Sequence, residues 1–544
     1  MTALNFLKDM RKLLALIILT SILIGCAPAN QPALQPTPHP APTQRADPTP
    51  ETASAAWWHD AIFYEIFVRS FNDSNGDGIG DFNGITQKLD YLQQLGVNAI
   101  WLMPIHPSPS YHGYDVLNYY AVNPDYGTMA DFKNLLNEAH KRNIKIIIDF
   151  VLNHTSNQHP FFVDANSNPN SKYRDWYVWS DTPGDHWYQG NGGYYFGLFC
   201  DCMPDLNYRN PAVTKQMFNV TKYWLENIGV DGFRLDAAKH LIEEGNKIEN
   251  TNSTHEWLKG FYTFYKSVNP NAYTVGEVYG AGAFLGTKYT QQLDHIFNFE
   301  LASGIVNSVG GESNTGINSA WNFTLKDISN GEYATFLTNH DQNRVMSVLN
   351  GNGAKAKLAA VMLLTSPGTP FIYYGEEIGM QGKKPDEDIR LPMQWNADAN
   401  AGFTTGTSWR APNADYSQVN VAAQEQDPNS LLNLYRMLTK LRVEHPALRS
   451  GKLIILETSN AGVYAVVRSD SKENILVLVN LKGTPISDYA LSLNENILPA
   501  GKLTPESLLD STQAASLTIA GGALKDYKPL TELPPYQAYI FQLK

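Results

Sequence analysis

Lys145-Ile146-Ile147-Ile148-Asp149-Phe150-Val151-Leu152-Asn153-His154 is the stretch on which the fold turns. Large apolar side chains fill both faces of the run and one aspartate interrupts it, the pattern of a parallel strand covered on two sides. Just before it, residues 129–142 carry apolar positions at helical spacing, so the unit reads helix, then buried strand. Similar runs occupy 62–71, 97–105, 230–236, 272–278, 293–299, 334–339 and 369–375, most with an amphipathic stretch beside them. With 144–153 they make eight strand–helix repeats, which predict a (β/α)8 TIM barrel; a doubly wound open sheet is the alternative.

One connection breaks the rhythm. More than fifty residues separate His154 from the helix expected near Pro211, and they are rich in Trp, Tyr, Asn and Gly. A connection that long is usually functional, and residues 155–207 read as a small domain inserted over the barrel mouth. The barrel is then 57–154 and 208–450, closing with a helix at 431–445. Residues 451–544 change style again, to short alternating strands such as 463–468 and 475–481 between Gly, Pro, Asn and Ser breaks. They read as an all-β sandwich.

The N-terminal segment is of another kind. Lys8, Arg11 and Lys12 precede an apolar run over 13–25, shorter than the ~20 residues that span a bilayer. This is a signal peptide, 1–25, and it ends Leu23-Ile24-Gly25-Cys26, which resembles the processing box of bacterial lipoproteins. Cys26 is the expected lipidation site. Residues 26–56, rich in Pro, Thr, Ala and Gln, form an extended tether. The expected location is outside the cytoplasm, anchored to a membrane through Cys26. Apart from Cys26 the chain has two cysteines, so no disulfide framework and no four-cysteine zinc site can form. Cys200-Asp201-Cys202 is too closely spaced for an ordinary bridge, leaving a strained local one as the alternative. The net charge of −12 excludes nucleic acid as the main partner, because phosphate neutralisation needs clustered Lys and Arg. The 63 aromatic side chains (29 Tyr, 23 Phe, 11 Trp) suit either a large core or stacking on the apolar faces of sugars.

Barrel enzymes place their chemistry at the C-terminal ends of the strands. Strand three ends in Asp149-Phe150-Val151-Leu152-Asn153-His154, strand four in Gly232-Phe233-Arg234-Leu235-Asp236, strand five in Gly276-Glu277-Val278 and strand seven in Asn339-His340-Asp341. Three carboxylates, two histidines and an arginine converge, with no Ser-His-Asp constellation and no phosphate loop. Helix capping would explain one such carboxylate but not three. The set suits acid–base chemistry at an acetal, where one carboxyl attacks and another keeps its proton. The adjacent Arg234 is expected to hold Asp236 ionised. A second pattern lies in Asp73-Ser74-Asn75-Gly76-Asp77-Gly78-Ile79-Gly80-Asp81. Asp73, Asn75, Asp77, the Ile79 carbonyl and Asp81 alternate as oxygen ligands of a calcium loop, although Gly84 stands where an EF-hand has its final Glu.

The segments 149–154, 232–240, 276–278 and 336–341 together resemble the four signature regions of the α-amylase family, glycoside hydrolase family 13. Met203-Pro204-Asp205-Leu206-Asn207 resembles its fifth, and Gly375-Glu376-Glu377-Ile378-Gly379-Met380 the segment after its eighth strand. The resemblance covers most of 57–544. It implies that Asp236 is the nucleophile, Glu277 the acid/base and Asp341 the transition-state stabiliser of a retaining double displacement. It implies that Arg234 orients Asp236, that His154 and His340 bind the sugar in subsite −1, and that Tyr114 stacks beneath it. Lys239 and His240 would lie toward the aglycone. Arg390, in Arg390-Leu391-Pro392-Met393-Gln394-Trp395, would be a further −1 contact or an ordinary loop salt bridge. A structural calcium between barrel and insert would use Asn153, Asp205 and the His240 carbonyl, and a loop similar to 73–81 binds calcium or magnesium in relatives. Ala237-Ala238-Lys239-His240 resembles α-amylases, whereas the 73–81 loop and 390–395 resemble the oligo-1,6-glucosidase branch. The chain thus resembles an intermediary subgroup, for which endo-hydrolysis of α-1,4-glucan is expected. Cyclomaltodextrinase or neopullulanase-like action and transglycosylation are the rivals. A non-catalytic glucan-binding lipoprotein is the alternative of another class, though all three acids are present. The expected partners are an α-glucan and a membrane, and the working unit is expected to be a monomer.

Overall fold

The computed structural model describes residues 56–544 apart from 281–285, 329–330, 495–497, 499 and 522. The expected signal peptide, the expected lipidation site Cys26 and the expected tether before residue 56 lie outside the described residues. Eight parallel strands form the central sheet: β1 Phe63–Ile66, β2 Ala99–Leu102, β3 Lys145–Val151, β4 Gly232–Asp236, β5 Tyr273–Gly276, β6 His295–Ile296, β7 Ala334–Thr335 and β8 Thr369–Tyr373. Their order is β7-β8-β1-β2-β3-β4-β5-β6, and a parallel bridge from Phe297 to Ala334 joins the two ends into a barrel. The expected (β/α)8 architecture is therefore the observed one.

Period-two alternation explains both the core and the site. At the bottom of the barrel Phe63, Ala99, Ile147, Tyr273 and Phe371 form one buried cluster, and Phe63 and Phe371 stack with ring centroids 4.3 Å apart. Outward-facing Tyr64, Ile100, Ile148, Phe233 and Leu235 belong to the separate, larger core shared with the helices. One of these helices, Met129–Lys141, is entered through a capping box in which Thr128 and Asp131 bond each other's backbone N–H. Two residues above the bottom layer the inward positions become polar: Glu65 on β1, Asp149 on β3 and Arg234 on β4. Gly232 opens β4 at φ +154°, and a Cβ there would lie 1.9 Å from the Tyr273 carbonyl oxygen. A side chain at this position would push apart the strands that carry Arg234 and Glu277.

The insertion after β3 contains the helix Pro160–Ser167 and a three-stranded sheet of Trp179–Ser180, Gly193–Phe196 and Trp187–Gly190. Phe162, Tyr177, Trp179 and Tyr195 pack edge-on and face-on within it. After the helix Leu431–Glu444 the C-terminal region forms a five-stranded antiparallel sheet, with Val463–Ser469, Asn474–Asn480 and Ala538–Leu543 at its centre. A three-stranded sheet of Glu457–Thr458, Leu491–Leu493 and Leu524–Tyr527 lies beyond its core. The fully buried Arg468 binds the carbonyls of Leu448 and Gly451, which fixes this region to the barrel's last helices.

Cys200 and Cys202 are disulfide-bonded, with Cα atoms 5.2 Å apart. This corrects the sequence expectation: the turn brings the two Cα atoms inside the usual 4.4–6.8 Å range, and spacing along the chain did not reveal that.

Candidate active site

Arg234 organises the mouth of the barrel. β3 and β4 pair with Asp149 opposite Arg234, so the guanidinium enters the barrel beside that carboxylate. Its Nη1 donates to Asp149 Oδ1 at 2.9 Å and to Asp236 Oδ1 at 2.7 Å, and its Nη2 donates to Glu277 Oε2 at 2.7 Å. Arg234 and Asp149 are wholly buried, with Trp101 packed on the guanidinium, 5.2 Å from ring centroid to Cζ. A buried charge of either sign is costly alone, and this one is hydrogen-bonded to three carboxyl groups.

His340 ties β1 to the end of β7. Its Nδ1 bonds Glu65, while its Nε2 lies 2.6 Å from the Tyr114 hydroxyl and 3.1 Å from Asp341 Oδ2. Burial alone would lower its pKa, but Asp341 and Glu65 overrule that and push it up to about 9, so the ring is cationic at neutral pH. Tyr114 stacks on it, with rings 13° from parallel, and also donates to Asp149. Arg390 donates from Nη2 to Asp341 Oδ1 at 2.9 Å and from Nε to the His340 carbonyl.

These contacts drive the carboxyls apart. Burial raises Asp341, but His340 and Arg390 hold it well below the usual carboxylate range. Burial raises Glu277; Arg234 opposes this, and the charges of Asp236 and Asp341 reinforce it. Asp236 moves upward for the same reasons, with Arg234 pulling the other way. Arg234 thus favours the ionised form of Asp236 as the sequence predicts, but one guanidinium shared by three carboxyls does not overcome their burial. Asp149 is pushed up to about 7, chiefly by burial.

A cleft of about 340 Å³ opens over this group, lined by Asp236, Glu277 and Asp341 together with His112, Tyr114, His154, Asp386 and Arg390. Phe199, Cys200, Cys202 and Met203 of the insert complete the lining. His154 is buried and its Nε2 has no protein partner among the described residues, so it is free to bond a ligand hydroxyl. Burial takes its pKa down to about 4, which keeps the ring neutral. Lys239 and His240 are not in this lining: Lys239 is paired with Glu249, and His240 Nδ1 bonds the Ile248 carbonyl. Glu65, Asp386 and Phe199 belong to the site or its support and were not singled out from the sequence; Asp149 was noted at the end of strand three but given no role. Glu65 and Asp149 had a legible signal, since each is a charge inside an apolar strand. Phe199 had none.

Two places offer cation ligands. In the 73–81 loop Asp73, Asn75 and Asp77 each accept backbone N–H groups two to five residues ahead, which curls the chain locally. Asp81 caps the next helix through Gly84 N–H. Asp73 Oδ1, Asp73 Oδ2 and Asp81 Oδ1 each already accept two hydrogen bonds, whereas Asn75 Oδ1 and Asp77 Oδ1 accept one and keep a lone pair. Carboxylate and amide oxygens are the donor type a hard divalent ion takes. Between barrel and insert, Asn153 Nδ2 lies 2.9 Å from buried Asp205 Oδ2. Burial and the nearby Glu243 push Asp205 well above its ordinary pKa. Two carboxyls repelling each other out of water also fit a cation, and Glu243 is a donor the sequence did not suggest.

The fold and the charge pattern at its mouth define a glycoside hydrolase built on a TIM barrel, and comparison with known proteins agrees. A family model, Alpha amylase, catalytic domain, matches residues 65–451, and the chain belongs to the α-amylase family. It is 45% identical over 435 residues to Alpha-amylase 3 of Dictyoglomus thermophilum, covering 78% of this chain and 85% of that protein. It is 33% identical over 525 residues to an oligo-1,6-glucosidase of Parageobacillus thermoglucosidasius, covering 79% and 91%. The crystal structure of an alpha-amylase from H. orenii superposes with a TM-score of 0.78 at 38% identity, over 89% of this chain and 99% of that one.

Proposed function

We propose that the protein is a retaining α-amylase that cuts α-1,4-glucosidic bonds inside starch and maltooligosaccharides. The carrying observation is the shared clamp: Asp236 and Glu277 bind the two terminal nitrogens of one guanidinium. That favours the ~5–5.5 Å spacing of a retaining pair over the ~6.5–9.5 Å of an inverting one. Asp236 attacks the anomeric carbon while Glu277, whose raised pKa keeps its proton available, protonates the departing oxygen. Water, losing a proton to Glu277, then cleaves the glycosyl ester and restores the α configuration. Asp341, held ionised by His340 and Arg390, binds sugar hydroxyls and stabilises positive charge at the ring. Tyr114 carries the −1 ring and His154 Nε2 contacts its hydroxyls, while His340, buried with both ring nitrogens bonded to protein groups, positions Tyr114 and Asp341. Lys239 and His240 belong to the aglycone side.

Asp73, Asn75, Asp77, Asp81 and the Ile79 carbonyl would hold one calcium ion. Asn153, Asp205 and the His240 carbonyl would hold another. Such ions brace the loop and the seat of the insert, and take no part in bond cleavage. The relatives span an α-amylase and an oligo-1,6-glucosidase, which supports an intermediary subgroup. It also keeps a second reading open: transfer of the glycosyl unit to a sugar hydroxyl, or cyclodextrin or pullulan cleavage. A time course of products from maltoheptaose, starch, pullulan and cyclodextrin decides. Early medium-length products from starch support endo-hydrolysis; products longer than the substrate establish transfer. Export and anchoring through Cys26 rest on the sequence 8–26, and loss of palmitate labelling in Cys26→Ala is their test.

A further inference from the structure

Part of the wall of the cleft is built from an unusual turn. Phe199, Cys200, Cys202 and Met203 all line the cleft, so the disulfide itself is part of the surface a substrate meets. The turn is anchored on its outer side. The Tyr195 hydroxyl donates to the Asp201 carbonyl at 2.7 Å, Asn157 N–H to the Cys202 carbonyl at 2.8 Å, and Met203 N–H to the Cys200 carbonyl at 3.2 Å. It folds so closely over Gly197 that a Cβ there would lie 2.6 Å from the Cys200 carbonyl oxygen.

Directly before the bridge stands Phe199, a large apolar side chain that is 51% exposed. Its ring meets the His154 ring edge-on at 5.2 Å and the His240 ring at 6.3 Å. His240 N–H donates to the Ala237 carbonyl at 2.9 Å, and Ala237 N–H donates to Glu277 Oε2 at 3.3 Å, so Phe199 lies beside the turn that bonds the acid protonating the leaving group. An exposed aromatic face there suits the apolar face of a pyranose ring. The bridge closes a ring over two residues of separation. The chain entropy removed from the unfolded state is least for such short spans, so its main consequence is local: it fixes the shape of the turn.

We propose that the Cys200–Cys202 disulfide is a specificity-determining element. It holds Phe199 and the 199–203 turn as the wall of the leaving-group side, so that binding of an α-linked glucose ring there depends on the oxidised pair. This rests on Glu277 being the acid. Opening the bridge with dithiothreitol transfers two electrons and two protons: the S–S bond breaks to two thiols, and the reductant closes to its cyclic disulfide. Phe199 and Met203 then lose their common tether.

The test compares maltoheptaose, which places sugar rings on the leaving side, with α-glucosyl fluoride, which places none. The measured quantity is the ratio of their kcat/KM values for the full-length protein. It should fall about fivefold on reduction, mainly through the KM for maltoheptaose, and recover on reoxidation. Cys200→Ser/Cys202→Ser should show the lowered ratio without responding to reductant. Phe199→Ala should reproduce it, and Phe199→Tyr should restore most of it. Melting temperatures identify any variant that fails to fold, in which case reduction of the wild type and Phe199→Ala still decide. An unchanged ratio on reduction, or equal losses on both substrates, overturns the proposal while leaving the hydrolase reading intact. Wild-type protein that cleaves neither substrate overturns both.

Discussion

Replacing Asp236 by Ala separates the chemistry of the site from its stability. The Asp236 carboxyl is one of three on Arg234, and its removal leaves the guanidinium bonded to Asp149 at 2.9 Å and Glu277 at 2.7 Å. No buried charge is orphaned. Burial pushes the pKa of Asp236 upward in the folded state despite Arg234. A carboxyl with a raised folded pKa makes the ionised protein less stable above the unfolded pKa, so deleting it should leave the melting temperature equal or higher. Catalysis should behave oppositely. Without a nucleophile no glycosyl ester forms, and a loss of at least about 10⁴ in kcat on α-glucosyl fluoride is expected, about 5.5 kcal/mol of barrier. The vacated space should admit azide, which attacks the anomeric carbon from the face Asp236 occupied. The C–F bond breaks, a C–N bond forms, and β-glucosyl azide results. The assay is initial rate with and without azide, product configuration by NMR, and thermal unfolding by circular dichroism. A rate within tenfold of wild type, or azide product of α configuration, would refute the assignment. A melting temperature many degrees lower would refute the electrostatic argument.

Other outcomes follow from particular contacts. His340 is raised from its ordinary ~6.5 to about 9. The stability this contributes is fully present below about pH 6.5 and is lost as pH rises through 9, on the order of 3 kcal/mol. Urea unfolding at pH 6 and 9.5 should show wild type losing more stability than His340→Gln; parallel losses would contradict the coupling to Glu65 and Asp341. Gly232→Ala should cost more than about 3 kcal/mol, because its Cβ would strike the Tyr273 backbone at 1.9 Å; soluble protein with a native melting temperature would show that the strands can part. Chelation should lower the melting temperature by several degrees and leave kcat at low temperature nearly constant. Asp77→Ala should shrink that thermal response, and a variant that responds like wild type would remove the 73–81 loop from the reading.

The barrel was legible because its signal is local. Two-faced apolar runs need only their own residues to be recognised, and a charge within such a run, as at Asp149, Arg234 or Asp236, marks an inward position near a strand's end. Glu65 carries the same mark in Phe63-Tyr64-Glu65-Ile66. Its value depends on β1 lying across the barrel from His340, 275 residues away along the chain. Sequence order cannot express that adjacency. Phe199 and the cysteine pair show the limit more sharply. Nothing in their neighbours distinguishes an exposed loop aromatic from a substrate wall, and spacing alone argued against the bridge that the turn in fact accommodates.

By itself, then, the sequence determined the repeat, the inserted segment and the residue types that carry chemistry, because periodicity and hydrophobicity act over a few residues. Only the tertiary structure decided how one guanidinium is shared by three carboxyls, and that the pKa of Asp341 is lowered while those of Glu277 and Asp236 are raised. Those directions come from burial and from charges brought within 3 Å by distant strands, and Coulomb interactions depend on distance in space, not along the chain.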